Sequence, residues 1–153
     1  FSGRDGRTTI FDYWSIDTLC RASKFQLTPE ETRLAQIHTS LISIARNEPA
    51  ISEGKCFDLM YANPWSDTFH ADRLYAFMRK KDDDILLVVV NFDDKALESL
   101  VNIPQHAFDY LGIQPGMRVA ADLMKGEDVD IMLSADEPVR IAVPPYSGVV
   151  LKM

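Results

Sequence analysis

The side chains best suited to chemistry in this sequence lie between Tyr61 and His70. The segment reads Tyr-Ala-Asn-Pro-Trp-Ser-Asp-Thr-Phe-His. A Trp in a Pro-containing loop with polar neighbours can form a platform on which a sugar ring stacks, because an aromatic ring offers a broad apolar face. Tyr61, Trp65 and Phe69 are therefore candidate substrate-binding residues. The alternative is that Trp65 and Phe69 only fill the junction between a helical segment and a β-domain, and the sequence favours this packing role.

No catalytic motif accompanies this loop. His38, His70 and His106 are the three histidines, and none has a Ser or Cys nearby in a nucleophile motif. The stretch Gly3-Arg-Asp-Gly6 lacks the spacing of a phosphate-binding loop and the Lys-Ser/Thr pair that such a loop needs. Carboxylates are numerous, but a catalytic pair is defined by its separation in space. We predict a non-catalytic stretch with no cofactor.

The charge of the chain narrows its partners. Asp and Glu number 23 against 16 Lys and Arg, giving a net charge of −7. Nucleic-acid binding needs a clustered basic surface, so the sequence predicts no nucleic-acid partner. The acids cluster at 82–84, 93–94 and 127–130, beside predicted strands, where short carboxylates favour turns. The EF-hand pattern is missing, so no metal site is predicted.

Two further features concern cysteine and membrane. Cys20 and Cys56 show no CxxC spacing and no metal-ligand partner, so we interpret them as two free structural thiols, while a pairing by the fold stays open. The longest apolar run, Ile85 to Val90, is far below the ~18 residues of a membrane span. No membrane association is predicted.

The segment before residue 56 is predicted to be helical. Thr28-Pro29-Glu30-Glu31 supplies a capping hydroxyl, a Pro at the first helical position and a Glu three residues after the cap. A helix is therefore predicted over 28–46, ending before Pro49, and a shorter helix over 17–22. The long helix carries one apolar stripe that must lie against another element, formed by Leu34, Ile37, Leu41, Ile44 and Ala45.

The segment after residue 56 is predicted to be β. Seven or eight short strands separated by turn signals predict an antiparallel β-sandwich of about 100 residues. The β-branched run at 85–92 predicts a central strand buried on both faces, and 106–111 one helical turn. The predicted strands are 57–61, 73–80, 85–92, 97–103, 117–123, 129–133, 139–143 and 148–152. The predicted core consists of Leu74, Ala76, Met78, Leu86, Val88, Val90, Val119, Ala121, Ile141, Val143, Val149 and Leu151, or their alternating neighbours.

The first fifteen residues suggest a piece of a longer protein. They combine Gly-Arg turns with three large rings, Phe11, Tyr13 and Trp14. Burying an aromatic ring gains roughly 1.5–3 kcal/mol, so leaving three in water is costly. We therefore expect these rings to have packed on a body that this sequence does not include.

Five phrases, taken in order, resemble the α-amylase family of glycoside hydrolases. The first resembles the segment after the eighth strand of that family's barrel, the second its last barrel helix, and the remaining three successive strands of its C-terminal β-sandwich. The phrases are Gly6-Arg-Thr-Thr-Ile-Phe-Asp-Tyr-Trp14, Ile44-Ala-Arg-Asn-Glu-Pro-Ala-Ile51 with Gly54, Leu74-Tyr-Ala-Phe-Met-Arg79, Leu86-Leu-Val-Val-Val-Asn-Phe92 and Pro145-Tyr-Ser-Gly-Val-Val-Leu-Lys152.

This resemblance implies a fold and a division of the chain. Residues 1–55 would be a remnant of a catalytic (β/α)8 barrel, and residues 56–153 a Greek-key β-sandwich of the C-terminal α-amylase type. The family's retaining mechanism uses an Asp nucleophile, a Glu acid/base and a second Asp, all on barrel strands upstream of Phe1, so no catalytic residue is assigned here. Arg4, Asp5 and Arg7 would lie at the active-site rim, or form an Arg–Asp pair that holds the loop.

The leading hypothesis is the C-terminal, non-catalytic portion of a retaining α-glucan-active hydrolase, which stabilises the catalytic barrel and contacts an α-glucan oligosaccharide. The alternative is a free-standing carbohydrate-binding or interaction β-sandwich, since a fold does not fix a function. The expected partner is the barrel of the same parent chain, and an orphaned helix stripe also predicts a homodimer. The cellular compartment is left open.

Overall fold

The structure is a computed structural model that describes residues 12–153, with side chains from Asp17 onward. Arg4, Asp5 and Arg7 therefore lie outside the described residues. Two compact units divide the chain, one ending at Thr39 and one spanning Ser40–Met153. The helices are α1 (Asp12–Ser23), α2 (Pro29–Asn47), α3 (Pro49–Ser52) and α4 (Gln105–Leu111), with a 3₁₀ helix at Met60–Ala62. The strands are β1 (Lys55–Asp58), β2 (Leu74–Lys81), β3 (Asp84–Asn91), β4 (Leu97–Val101), β5 (Gly116–Asp122), β6 (Glu127–Leu133), β7 (Val139–Val143) and β8 (Ser147–Lys152).

The first unit contains α1 and the first half of α2. The predicted capping box is present: the Glu31 backbone N–H donates to Thr28 Oγ1 at 3.2 Å, and the Thr28 N–H donates to Glu31 Oε2 at 3.0 Å. Arg21 of α1 also donates to Glu31, which lowers the pKa of that carboxyl below its usual value. The start of α2 is thus fixed by local chemistry that the sequence predicted.

The second unit is an antiparallel β-sandwich, as predicted. One sheet has six strands in the order β1-β2-β3-β8-β5-β6, and the other pairs β4 with β7. Every pairing is antiparallel. The chain crosses between layers at β4 and β7, the kind of connection found in Greek-key sandwiches. Each predicted strand has a counterpart, although β1 ends at Asp58 and the 3₁₀ helix takes the place of its predicted end.

The main core lies between the two sheets and under α4. It contains Phe57, Leu74, Ala76, Met78, Leu87, Val89, Val101, Phe108, Leu111, Ile131, Leu133, Ile141, Val143, Val149 and Leu151, with other buried residues. Helix α4 stops at Gly112, whose φ of +63° is the left-handed conformation that favours glycine at this position. Its buried side chains close one end of the sandwich.

Strand β3 is buried on both faces, which confirms its prediction as a central strand. Leu87 and Val89 point into the main core, whereas Leu86 and Val88 belong to a second, smaller cluster. This outer cluster also contains Val150 of β8, Ile44 of α2 and Ala50 of α3. The end of α2 and all of α3 therefore cover the middle of the six-stranded sheet's outer face.

Two points left open by the sequence concern β5 and the stripe of α2. Val119 is 65% exposed and Ala121 half-buried, whereas Ala120 and Asp122 are buried, so the core positions of β5 are the alternating neighbours of Val119 and Ala121. In α2, only Ile44 of the apolar stripe is buried. Leu41 stays exposed, so the stripe is covered at its end rather than along its length.

The connection from α3 into β1 is tightly held. Arg79 of β2 donates from Nε to the Ala50 carbonyl at 3.0 Å and from Nη2 to the Gly54 carbonyl at 2.9 Å. A Cβ on Gly54 would lie 2.3 Å from the Ala50 carbonyl oxygen, so only glycine fits. Among residues 12–153, no helix has the length and apolar character needed to cross a bilayer.

Candidate functional site

The loop between β1 and β2 is anchored by a buried asparagine. Asn63 Nδ2 donates to the carbonyls of Leu59 at 2.8 Å and Asn102 at 2.9 Å. The Asn102 backbone N–H returns a bond to Asn63 Oδ1 at 2.7 Å. Because Asn63 is buried and both ends of its amide are hydrogen-bonded, these bonds fix the loop against the end of β4. The loop's other side chains therefore project from a rigid base.

Trp65 is the exposed ring of this loop. Its side chain is 62% exposed and stacks on the His70 ring, with centroids 6.1 Å apart and planes 17° from parallel. The turn between them is held by a Ser66–Phe69 bridge, in which the Ser66 N–H donates to the Phe69 carbonyl at 2.9 Å. One face of the indole is supported by imidazole. A ring held in this way can accept a sugar on its free surface at little entropic cost.

Phe69 lies in a different environment from Trp65. Its ring is 2% exposed and belongs to the main core of the sandwich. The Phe69 N–H donates to Ser66 Oγ at 3.0 Å, which places the backbone at the surface and the ring below it. The structure therefore gives Phe69 a packing role and leaves no ring face for a ligand.

Tyr61 belongs to a second aromatic group, separate in its contacts from Trp65. Its ring centroid lies 6.1 Å from that of Phe57, and Phe57 also contacts His106 at 5.3 Å and Tyr110 at 5.7 Å. Lys55 Nζ lies 5.3 Å above the Tyr110 ring, within the range of a cation–π contact. Tyr61 is 63% exposed, so it forms the outer rim of a cluster built on β1 and α4.

A shallow cleft adjoins the tip of the loop. It has a volume of about 170 Å³ and is lined by Asp67, Thr68, Glu98, Ser99, Leu100 and Arg140. Arg140 Nη1 lies 3.4 Å from Glu98 Oε2, and the Leu100 N–H donates to the Thr68 carbonyl at 2.9 Å. The cleft thus offers the Asp67 carboxylate and the Thr68 hydroxyl, two and three residues after Trp65 along the chain, together with Glu98 and Arg140 from two other strands.

Buried ionisable groups are scarce in the part of the chain that the structure describes. Asp122 is buried, but its Oδ1 accepts from the Met124 N–H at 2.9 Å and its Oδ2 lies 4.0 Å from Lys125 Nζ. It therefore shapes the β5–β6 turn. Within residues 12–153, no group of three His, Cys, Asp or Glu side chains is arranged to hold a metal. Cys20 and Cys56 are both free and both exposed.

The three residues predicted from one loop thus occupy three environments. Trp65 remains an exposed platform, Tyr61 joins the β1–α4 cluster, and Phe69 is core. The sequence did not indicate Tyr110 or Lys55 as neighbours of Tyr61's cluster, since they come from other elements and only the fold brings them there. The stacking of His70 on Trp65 follows from the turn between them.

Comparison with solved structures identifies proteins of similar fold. AmyP, solved in complex with maltose, matches over 82% of this chain with a TM-score of 0.55 and 17% identity. A noncanonic maltogenic α-amylase, AmyB from Thermotoga neapolitana, matches over 76% with a TM-score of 0.54 and 14% identity. An Anoxybacillus α-amylase matches over 74% with a TM-score of 0.50 and 13% identity. The matches cover 21%, 24% and 21% of those chains, respectively, so this chain spans only about a fifth to a quarter of their length.

Comparison of the sequence alone, by contrast, finds no match. No family model matches the chain, and no curated protein matches its sequence. The likeness is therefore one of fold. It confirms at that level the resemblance to α-amylases that five phrases of the sequence indicated.

Proposed function

We propose that this chain is the C-terminal, non-catalytic portion of a retaining, α-glucan-active glycoside hydrolase of the α-amylase family, and that its β-sandwich stabilises the catalytic barrel. The observation that carries the proposal is the fold match to AmyP over 82% of the chain but only 21% of AmyP. A domain that accounts for so small a share of a glucan-active protein is expected to serve a larger catalytic body.

The chemistry of the described residues supports a non-catalytic role. A retaining glycosidase needs two carboxyl groups roughly 5–5.5 Å apart across the scissile bond. The buried carboxylate found among residues 12–153, Asp122, is engaged by a turn N–H and by Lys125. In the acidic cluster at 82–84, Asp82 and Asp83 lie in the exposed turn between β2 and β3, and Asp84 begins β3. Catalysis is therefore assigned to the barrel of the parent protein.

The helices support the proposed connection to a barrel. Helix α2 resembles the last barrel helix of the family in sequence, and its end packs through Ile44 on the sheet that follows. The junction is rigid, because Arg79 bonds to the carbonyls of Ala50 and Gly54. These bonds hold α3 and the turn at Gly54 against β2.

The test uses the full-length protein encoded by the reading frame that contains this chain. We expect it to hydrolyse or transfer α-glucosidic bonds. We expect deletion of residues 56–153 to lower its Tm clearly while the activity of each folded molecule changes little. The readouts are calorimetry and maltodextrin turnover. Absence of glucan activity from the full-length protein would overturn the proposal. An unchanged Tm with lost glucan affinity would make the domain a binding module instead.

A second candidate function is sugar binding by the sandwich itself, and the Trp65–His70 stack favours it. The exposed indole, supported on one side by imidazole, offers an apolar face on which a pyranose ring can stack. The chain is titrated with maltoheptaose and monitored by Trp fluorescence, with a β-linked glucan of equal length as the control ligand. We expect a saturable change in the unmodified chain. In calorimetric titration, which does not depend on the indole as reporter, we expect Trp65→Ala to lose binding and Tyr110→Ala to retain it. A flat signal up to millimolar maltoheptaose would exclude this function.

A further inference from the structure

We propose that four side chains on the outer face of the six-stranded sheet, Tyr75, Phe77, Val90 and Phe92, form the surface on which the parent's catalytic barrel docks. These residues are called the aromatic strip below. The inference rests on the proposed function, because its occupant is the barrel that this function requires. It adds which face of the sandwich meets the barrel and which side chains make the contact.

The register of the strands places the strip on one face. Tyr75 of β2 pairs with Val90 of β3, and Phe77 pairs with Val88. Since side chains alternate along a strand, residues 75, 77, 88 and 90 share the face opposite Ala76 and Val89, which point into the main core. Phe92 continues this alternation, and its N–H still donates to the Arg73 carbonyl at 2.9 Å. The strip therefore extends the outer cluster towards one end of the sheet.

Among the residues that the structure describes, the strip is only partly covered. Phe92 is 64% exposed, Tyr75 is also exposed, and Phe77 and Val90 are half-buried. The Tyr75 and Phe77 rings contact each other, with centroids 5.8 Å apart. Gly148 of β8 pairs with Val90, so the row across β2, β3 and β8 ends in a position without a side chain. The result is a contiguous apolar surface, which a protein domain rarely leaves in water.

Continuity with existing packing identifies the occupant. The next rows of the same face are already covered, because Leu86, Val88 and Val150 pack with Ile44 of α2 and Ala50 of α3. Under the proposed function α2 is itself the last helix of the barrel. The C-terminal end of α2 therefore already contacts this face through Ile44, and Phe77 and Val90 pack against the same cluster. We therefore expect neighbouring parts of the same barrel to cover the aromatic strip.

The polar groups around the strip are already partnered within the chain. The Tyr75 hydroxyl donates to Asp58 Oδ2 at 3.1 Å, and burial together with this carboxylate raises the pKa of Tyr75. Arg73 Nη1 lies 3.5 Å from Asp93 Oδ2. Arg79, in the adjoining row, is bound to backbone carbonyls. Covering the strip would thus leave few hydrogen-bonding groups without a partner. An apolar partner surface is therefore sufficient to bind it.

The experiment is hydroxyl-radical footprinting of the full-length protein beside the 153-residue chain. Radical attack on a side chain follows its accessible area, so burial at the core of an interface should slow the oxidation of Phe92 and Tyr75 about fivefold or more in the full-length protein. Trp65 and Tyr61 are matched controls, since they are as exposed as Phe92 but lie on other elements. Their oxidation rates should be equal in both proteins.

Each outcome separates the inference from the function it rests on. If Phe92 and Tyr75 react equally fast in both proteins while the full-length protein turns over maltodextrin, the docking surface is wrong and the function stands. If the full-length protein lacks glucan activity, the proposed function is wrong, and the docking surface that rests on it is wrong with it. Protection of the strip in the 153-residue chain that rises with concentration would identify a second copy of this chain as the occupant and overturn the inference.

A substitution provides a second readout. In the full-length protein, Phe92→Ser should lower the Tm by about 3 °C or more, whereas Trp65→Ser should leave it within about 1 °C. Both changes remove a large exposed ring from the sandwich and add a hydroxyl, so they differ mainly in location. Equal Tm values for the two variants would contradict docking at the strip.

Discussion

The two faces of the six-stranded sheet are built from the same strands but are completed differently. The inner face is closed by β4, β7 and α4, and its residues are almost fully buried. Among the residues that the structure describes, the outer face is covered in part, by Ile44 of α2, by α3 and by Leu123 and Met124 after β5, and it exposes Phe92 at one end and Val119 on β5. The inner face shows a core that the chain completes by itself. The outer face has the character of a surface that something else completes.

The sharpest comparison is between neighbouring residues of β3. Leu87 faces the inner core, Leu86 faces the outer cluster, and both are inaccessible to solvent. We expect Leu87→Ala to lower the free energy of unfolding by about 3–4 kcal/mol and Leu86→Ala by about 2 kcal/mol. The substitution at Leu86 should lower the free energy of unfolding less, because the short helix above it can relax towards the cavity. The closed inner core around Leu87 cannot relax in this way.

Urea denaturation of the two variants measures this difference directly. The m-value should match that of the unmodified chain in both, which shows that the unfolded states are equivalent. A larger loss for Leu86→Ala would mean that the outer cluster, rather than the inner core, is the more rigid part of the domain.

The second prediction concerns the junction that holds the outer cover in place. Gly54→Ala would bring a Cβ within 2.3 Å of the Ala50 carbonyl oxygen and 2.8 Å of the Lys80 carbonyl oxygen. Both obstacles are backbone atoms, so the chain must move, at a cost of about 2–3 kcal/mol in unfolding free energy. Gly126→Ala is the control, because no atom lies within 4 Å of its Cβ position, and its φ of +75° limits the cost to about 1 kcal/mol. Equal losses would exclude crowding at the junction.

Much of this architecture could be predicted from the sequence where the signal was local. The capping box of α2 is a four-residue pattern, and its two hydrogen bonds form as expected. The β-branched run of β3 predicted burial on both faces because no polar residue interrupts it between Ile85 and Val90. The acidic turns around Asp82 and Asp93 marked strand ends for the same local reason.

The rest depended on which elements meet. Alternation along β5 is apolar on both sides, since Val119 and Ala120 are neighbours, and only the sandwich decides that Ala120 points inward. Phe69 and Trp65 looked equivalent in the sequence, yet the turn at Ser66 sends one ring into the core and the other to the surface. The sequence therefore indicates a loop that carries these rings, but it does not show which of them is exposed.

The third prediction tests the ionic edge of the outer cover. Lys152 Nζ lies 2.6 Å from Glu48 Oε2 and 3.4 Å from Asp84 Oδ1, and the bond to Glu48, followed by the two carboxylates' charges, raises the pKa of Lys152. Lys152→Met should lower the unfolding free energy by about 1 kcal/mol at neutral pH. The pKa of Lys152 is higher in the folded than in the unfolded protein. The stabilisation by its ion pairs is therefore complete below the ordinary lysine pKa of about 10.4, and it is lost as the pH rises through the pKa of Lys152 in the folded protein.

Denaturation of both proteins at neutral pH and in strong alkali checks the sign. The difference between Lys152→Met and the unmodified chain should shrink at high pH. Arg140→Met, which breaks an ion pair with Glu98 that is exposed on both sides, should change stability little at neutral pH. A difference that persists unchanged in alkali would assign the effect to packing of the lysine stem.

The smallest expected effect is the most informative for the outer face. In the 153-residue chain, Phe92→Ser should change the unfolding free energy by no more than about 0.5 kcal/mol, because the ring is mostly in water and few contacts are lost. The same substitution in the full-length protein is expected to be costly, so the ring matters only when the face is completed. A loss of about 2 kcal/mol already in the short chain would show that this chain covers Phe92 by itself, and the contrast between the two faces would then be one of degree.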